Sequence, residues 1–335
     1  MLRDSPLFSQ RVVTVAVVLY VAVVLVASFH FNLSLTPDRV ILLLLILGLA
    51  TGRVRQFLKD WSVFLVILLA WQVLTGMSRN FGELKPHVTE MINVDKALFF
   101  GQIPTIWLQQ HLYHPGHYTV YDMAAQQRFY VHAQLTWYDV GATILYFLHF
   151  AFPMGVALAL WVWKRQIFVE FMGSFLLLAL AGFATFVLFP AAPPWIAANW
   201  WHYMPPVQRI LDEGTYFFGG QQSFSALYTW LWNHGGWDVF GAVPSEHAAF
   251  PFLCFLYARR AWSRGGWLSL PYCLGVWVSV VYLGEHYVAD VLAGIVYAGA
   301  AYAAVQIALR RRAAKELAAA QQPLTPKPVS NSLSA

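Results

Sequence analysis

The stretch VPSEHAAFP, Val243 to Pro251, opens a strongly apolar segment, yet it begins with a proline, a hydroxyl, a carboxylate and an imidazole. Further along, YLGEHYVADVLAG, Tyr282 to Gly294, repeats the arrangement: a second Glu-His pair, then an aspartate four residues after the histidine. Ionisable groups inside or at the rim of a membrane bundle are costly and functional by default. How these two stretches are read therefore fixes both the architecture and the chemistry.

Composition establishes the medium. The chain has 335 residues, 59% of them hydrophobic and 11% charged, against about 25% charged in an ordinary soluble domain. That balance belongs to a polytopic membrane protein. The net charge of +5 does not point to nucleic acid, because the basic residues lie in short clusters between apolar runs rather than along one stripe. The two cysteines, Cys254 and Cys273, fall within apolar segments, where thiols behave as small inert hydrophobes.

A span needs roughly 17–25 residues. Apolar runs predict eight, at 12–31, 37–52, 60–77, 138–163, 167–189, 244–262, 266–284 and 286–309. With both termini in the cytoplasm, only Arg39, Arg79, Lys85, Lys96, Arg128 and Arg209 of the 21 Lys and Arg face outward. The remainder face inward, as the positive-inside rule expects. The first span is read as retained, because no small-residue cleavage site follows it. The expected fold class is an all-α, polytopic membrane helical bundle. Its divisions are N-terminal transmembrane helices (1–77), an outer-face interfacial segment (78–137), a membrane core (138–312) and a cytoplasmic, disordered tail (313–335) that ends in the Pro/Ser/Gln-rich QQPLTPKPVSNSLSA.

The outer segment at 78–137 mixes aromatics, histidines and isolated charges, which suits a helix lying on the lipid surface. His111, His114, His117 and His132 make it histidine-rich. Loop histidines beside Pro115 and Gly116 are the simpler reading, and no metal is expected. The second outer segment opens with FPAAPPW, Phe189 to Trp195, whose prolines end the preceding helix and give a stiff exit.

In this topology the 244–262 and 286–309 segments both start at the outer face, so both histidines fall in first turns. Unpaired N–H groups and the positive end of the macrodipole make such a turn suited to an anion such as phosphate. Pro244 gives up no hydrogen bond there, and Ser245 caps the helix or bonds a phosphate oxygen. His286 and Asp290 are spaced for one helical face. A carboxylate on one imidazole nitrogen fixes the tautomer and frees the other nitrogen as a nucleophile. His247 then serves as general acid and base. From Pro244 to Ala258 there are 15 residues, about 22 Å of helix against a hydrocarbon core of about 30 Å, which sets His247 slightly below the outer surface. Glu246 and Glu285 point about 100° away from their neighbouring histidines and read as interface or capping carboxylates.

These residues resemble the type 2 phosphatidic acid phosphatase superfamily. Its Pro-Ser-x-His motif is similar to Pro244–His247, and its Ser-Arg-x5-His-x3-Asp motif to Ser279–Asp290. The resemblance implies a six-helix-type phosphatase core toward the C-terminus, a phosphohistidine on His286, Asp290 as its partner and His247 as acid and base. It implies no cofactor. The superfamily's phosphate-holding cations are missing, because Val280, Gly182 and Phe189 stand at their positions. In that respect, and in FPAAPPW, VPSEHAAFP, EHYVAD and the upstream VDKALFFGQIPTIWLQ, the chain looks like the inositol phosphorylceramide synthase branch and, more distantly, sphingomyelin synthase. That branch moves a phosphorylated head group from a phospholipid to a lipid alcohol.

The expected function is transfer of a phospho-head-group from a phospholipid or lipid phosphate to a lipid or polyol alcohol at the outer face. Hydrolysis by water is the alternative. A dianionic phosphate needs charged donors, and Lys96, Arg128 and Arg209, with Ser245, are the expected holders. The expected partners are the lipid substrate, the acceptor alcohol and the bilayer, without nucleic acid. A proton-coupled lipid transporter, the competing class, would carry inverted repeats and charges in mid-span.

Overall fold

The computed structural model describes residues 45–46, 52–62, 86–121, 129–218 and 240–321. The predicted span at 12–31, most of those at 37–52 and 60–77, and Arg39, Arg79, Lys85 and Arg128 lie outside the described residues. Residues 54–62 are helical. Two short helices follow, α1 (Thr89–Leu98) and α2 (Pro104–Leu112), then a hairpin of β1 (Gly116–Tyr121) and β2 (Phe129–Gln134). Three long helices, α3 (Trp137–Trp163), α4 (Arg165–Leu188) and α9 (Val288–Ala320), carry the core with the shorter α8 (Leu270–Tyr282). Short helices α5 (Pro194–Asn199) and α6 (Ile210–Phe217) cap one end, and α7 (Glu246–Ala261) runs through the middle against α3, α4, α8 and α9.

Among the described residues three helical segments are long and apolar enough to cross a bilayer: Arg165–Leu188, Gly265–Tyr282 and Val288–Ala320. The last two of these cover α8 with its preceding 3-10 turn, and α9. A fourth is α3, bent by 49° between its halves Trp137–His149 and Ala151–Trp163. Pro153 accounts for the bend, because its ring lacks the N–H that would reach the His149 carbonyl and crowds that oxygen. The protein is an integral membrane protein.

Several expectations need correcting. The fold is not purely helical: β1 and β2 pair antiparallel, with Gly116 opposite Gln134 and Tyr121 opposite Phe129. Their sequences, GHYTVY and FYVHAQ, are rich in the β-branched and aromatic residues that suit a pleated surface. The predicted span 244–262 is a helix of only 16 residues. Four neighbours enclose it, so its length is not set by the bilayer. At the other extreme α9 continues to Ala320, which makes residues 313–320 helix rather than tail. RRRAAKELAAA is composed of strong helix formers, and Arg312 bonds Glu316 at i,i+4.

Side chains of α3, α4, α7, α9 and the 54–62 helix share one apolar cluster that includes Trp61, Trp161, Phe171, Leu253 and Tyr257. A second cluster joins α3, α6, α8 and α9, and a third lies under α1 and α5. Asp60 secures the 54–62 helix to the bend between α3 and α4, accepting from Trp161 Nε1 at 2.9 Å and from both forks of Arg165 at 2.7 Å. The geometry of the site depends on α7 and α9 running parallel. Ser245 N donates to Asp290 O at 3.0 Å at one end, and Arg260 bonds Gln306 at the other. Gly294 permits that approach, since a Cβ there would stand 2.3 Å from Ser245 O.

Candidate active site

The starts of α7 and α9 bring both Glu-His stretches to one end of the bundle. Ser245 is the N-cap of α7, fully buried, its Oγ accepting from Ala248 N at 3.4 Å. His247 is thereby set in the first turn. His286 is placed differently from the sequence expectation. Helix α9 begins at Val288 with Tyr287 as its N-cap, so His286 precedes the helix instead of lying in its first turn. The tight turn at Gly284, with φ of +84°, ends α8 and turns the chain back, and only glycine adopts that conformation without strain. The pair still meets, because Asp290 at the third helical position reaches back to the cap: its Oδ2 accepts from Tyr287 N at 2.9 Å and is 3.4 Å from His286 Nδ1.

The FPAAPPW stretch is the scaffold beneath. His87, Ala191 and Gly241 form parallel bridges, with Ala191 N donating to Phe240 O and Ala242 N to Ala191 O. Ala191 and Ala192 are fully buried. This narrow strand-like seam presents the Ala242 carbonyl to His286 Nδ1 at 3.1 Å. A carbonyl only accepts, so Nδ1 carries the proton and Nε2 keeps its lone pair. His286 Nε2 faces His247 Nδ1 at 3.2 Å. The two imidazoles converge on one point, and the predicted trio of His247, His286 and Asp290 is assembled within hydrogen-bonding or ion-pair reach. Two buried atoms, His247 Nε2 and Asp290 Oδ1, make no hydrogen bond among the described residues.

Sequence reasoning missed a third histidine. His149 lies at the bend of α3, buried, with its ring centroid 3.9 Å from that of His247 and its Nδ1 donating to Tyr146 O at 2.7 Å. Tyr146 also stacks on His247, with ring centroids 4.3 Å apart. The signal was present in the sequence: a lone histidine in the middle of an apolar span. Pro251 in α7 and Pro153 in α3 stand four residues after His247 and His149, so each loosens the backbone beside one of these rings.

The expected phosphate holders have separate fates. Lys96 is exposed in the last turn of α1, Arg128 lies outside the described residues, and buried Ser245 is engaged as a cap. Arg209 is tied to Glu285, the residue before His286. Its Nε donates to Glu285 Oε1 at 2.7 Å, a second nitrogen to Asp212 Oδ1 at 3.1 Å, and its guanidinium lies 4.4 Å over the Trp195 ring. Burial alone would weaken its charge, but the Glu285 carboxylate, helped by Asp212, holds its pKa above the usual arginine value. Glu285 is thus an anchor for Arg209. Glu246 is buried against α4, where a Cβ on Gly182 would stand 2.5 Å from its Oε1. The absence of a side chain at Gly182 is what makes room for that carboxylate.

The histidines of the outer segment are dispersed. His111 bonds Trp107 O, and His132 bonds Glu213 and stacks on Tyr216. Among the described residues no group of three His, Cys, Asp or Glu is arranged to hold a metal.

The PAP2 superfamily profile matches residues 119–304. The chain belongs to the PAP2 superfamily. It is 33% identical over 167 residues to a phosphoinositol dihydroceramide synthase of Bacteroides thetaiotaomicron, a match covering 47% of this chain and 52% of that protein. It is 27% identical over 155 residues to an inositol phosphorylceramide synthase of Candida albicans, covering 44% of this chain and 31% of the fungal one. The matched region thus spans about half or less of each relative. No solved structure matches the chain. Within the superfamily, its likeness is to the inositol phosphorylceramide synthase branch.

Proposed function

We propose that this PAP2 protein is a membrane phosphotransferase that passes a phospho-head-group, by way of His286, from a phospholipid to an alcohol. The observation that carries the reading is the 3.2 Å approach of His286 Nε2 to His247 Nδ1, with the far nitrogen of His286 already engaged by Ala242 O. A substrate phosphoryl group that parts the two rings meets a lone pair on one side and an N–H on the other.

The step balances as follows. His286 Nε2 attacks phosphorus, and the bond from phosphorus to the departing lipid alkoxide breaks. His247, protonated on both nitrogens beside the phosphate anion, hands its Nδ1 proton to that oxygen. The phospho-head-group remains on His286 Nε2. An acceptor hydroxyl then returns a proton to His247, attacks phosphorus and breaks the N–P bond. Asp290, beside His286 Nδ1, stabilises the positive charge that grows on that ring. Arg209 is the described cation best suited to hold the phosphate oxygens, in preference to exposed Lys96, with Arg128 a further candidate.

The names of the two synthases support a phosphoinositol head group as the group transferred and a ceramide-type alcohol as its acceptor. Hydrolysis is the second reading, and it uses the same first step. Purified protein with a head-group-labelled phospholipid separates the two. A new labelled lipid means transfer, and free phospho-head-group means water. His286→Ala is expected to lower turnover by about 10⁴-fold or more, and an unchanged rate rejects the nucleophile.

The site is expected to face outward. Arg259 and Arg260 end α7 and Arg310–Arg312 lie far along α9, at the opposite ends of these helices from His247 and Asp290. Tyr203, 56% exposed near the site end, gives a test, because native Cys254 and Cys273 are buried. Tyr203→Cys in intact cells should react with an impermeant maleimide. Protection until the cells are permeabilised reverses the orientation.

A further inference from the structure

The nucleophile's partner, Asp290, depends on the first turn of α9, and that turn is held from outside the histidine cluster. Helix α1 packs on α9 and sends one fully buried carboxylate into it. Asp95 Oδ1 accepts from Ala289 N at 2.9 Å, and Oδ2 from Val288 N at 3.2 Å. A helix start leaves its first N–H groups without intrahelical partners. Here Asp95, remote in sequence, takes two of them, while Asp290 takes the N–H of Tyr287. Asp290 Oδ2 therefore has one fixed position from which to meet His286. Burial pushes the Asp95 carboxyl up to about 6, so at neutral pH it is ionised and faces the positive end of α9.

Helix α2 restrains the other side of the same turn. Gln109, buried, donates through Nε2 to Tyr282 O and Gln208 O, both at 2.9 Å, and accepts from Gln208 N at 2.9 Å. Tyr282 ends α8, Gln208 precedes Arg209, and Gly284 to His286 lie between the two anchored points. The α1–α2 pair thus grips the histidine-bearing turn at both ends.

We propose that Asp95 is a positioning residue for phosphoryl transfer: it fixes the start of α9, and through it the Asp290–His286 pair, from a separate helix. This rests on His286 being the phosphoryl acceptor. Asp95→Asn keeps the shape, but turns one acceptor into a donor that opposes a backbone N–H. A positioning role lowers the rate at each folded site. A purely structural role lowers the number of folded sites and leaves each one as fast as before.

The test uses full-length protein in detergent with a head-group-labelled phospholipid, and compares wild type, Asp95→Asn and His286→Ala. Burst amplitude of phosphohistidine counts competent sites, and the single-turnover rate reads each site. For Asp95→Asn the rate per site is expected to fall about 10²-fold, with KM within about 2-fold, as for a misaligned reacting pair. A rate per site within about 2-fold of wild type overturns the proposal, whatever the amplitude. If Asp95→Asn yields no folded protein, Val288→Pro takes its place. Proline suits the first helical position after extended Tyr287 (ψ of 161°), and it removes one of the two donors without altering Asp95. A fall in its rate per site supports the proposal, and no change rejects it. His286→Ala identifies which idea fails: if it stays active, the phosphohistidine reading falls and this proposal with it. A dead His286→Ala beside an unaffected Asp95→Asn removes the proposal alone.

Discussion

Helices α7 and α9 carry a buried polar cluster at each end, and the two clusters differ in how completely they are satisfied. At the arginine end, Glu170 of α4 receives Arg260 and Gln306, with Gln306 Nε2 at 3.1 Å, and Tyr257 bonds Ser174 at 2.7 Å and Glu170 O at 3.0 Å. Every one of these side chains has a partner. At the histidine end, His247 Nε2 and Asp290 Oδ1 are buried without one among the described residues. An unsatisfied buried polar atom costs about 1–3 kcal/mol, so a protein retains it where something else depends on it. The filled cluster pins the register of three helices. The unfilled one leaves a carboxylate oxygen and a ring nitrogen without a partner among the described residues.

Exchanging one carboxylate for its amide at each end probes this contrast directly. Asp290→Asn is expected to have the largest effect, a fall in turnover of about 10³–10⁴-fold, because the amide no longer stabilises the charged His286 ring. The fold should persist, since an amide oxygen still accepts from Tyr287 N. Kinetics on protein quantified by circular dichroism reads this, and turnover within about 10-fold of wild type would remove Asp290 from the mechanism. Glu170→Gln should behave in the opposite way. It leaves Arg260 without its countercharge and costs about 2 kcal/mol of stability, a figure kept low because Arg260 is 34% exposed. The rate per folded site stays at the wild-type value. Thermal unfolding in detergent measures the first effect and single-turnover kinetics the second. A rate loss comparable to that of Asp290→Asn would mean that the two ends are coupled, and the distinction drawn here would fail.

Much of this was legible beforehand. The two Glu-His stretches supplied the three residues that the fold brings together, and the lengths of the apolar runs located α3, α4, α8 and α9 to within a few residues at most of their ends. What the sequence hid has a common character. Asp95 and Gln109 act on backbone groups of residues 288–289 and 282, contacts between distant segments that leave no local pattern. His149 was visible as an isolated imidazole in a span, but nothing local said that it would meet His247. As sequence, Lys96 and Arg128 were preferred to Arg209 as phosphate holders, all three being basic residues in outer segments. Burial beside Glu285 separates Arg209 from Lys96. The β1–β2 hairpin was overlooked because short strands carry a weak signal next to amphipathic helices.

The sequence by itself determined the medium, the principal apolar helices and the chemical identity of the reactive groups. Each of those follows from local composition, from helical spacing and from what an imidazole or a carboxylate does in a poorly solvated place. The tertiary structure decided which nitrogen of His286 is left with a lone pair, which cation is tied to the neighbouring Glu285 and which carboxylate secures the start of α9. Those depend on separations of a few ångströms between groups remote along the chain, and only the packing of α7 against α9, with α1 on the start of α9 and α2 against α8, fixes such distances.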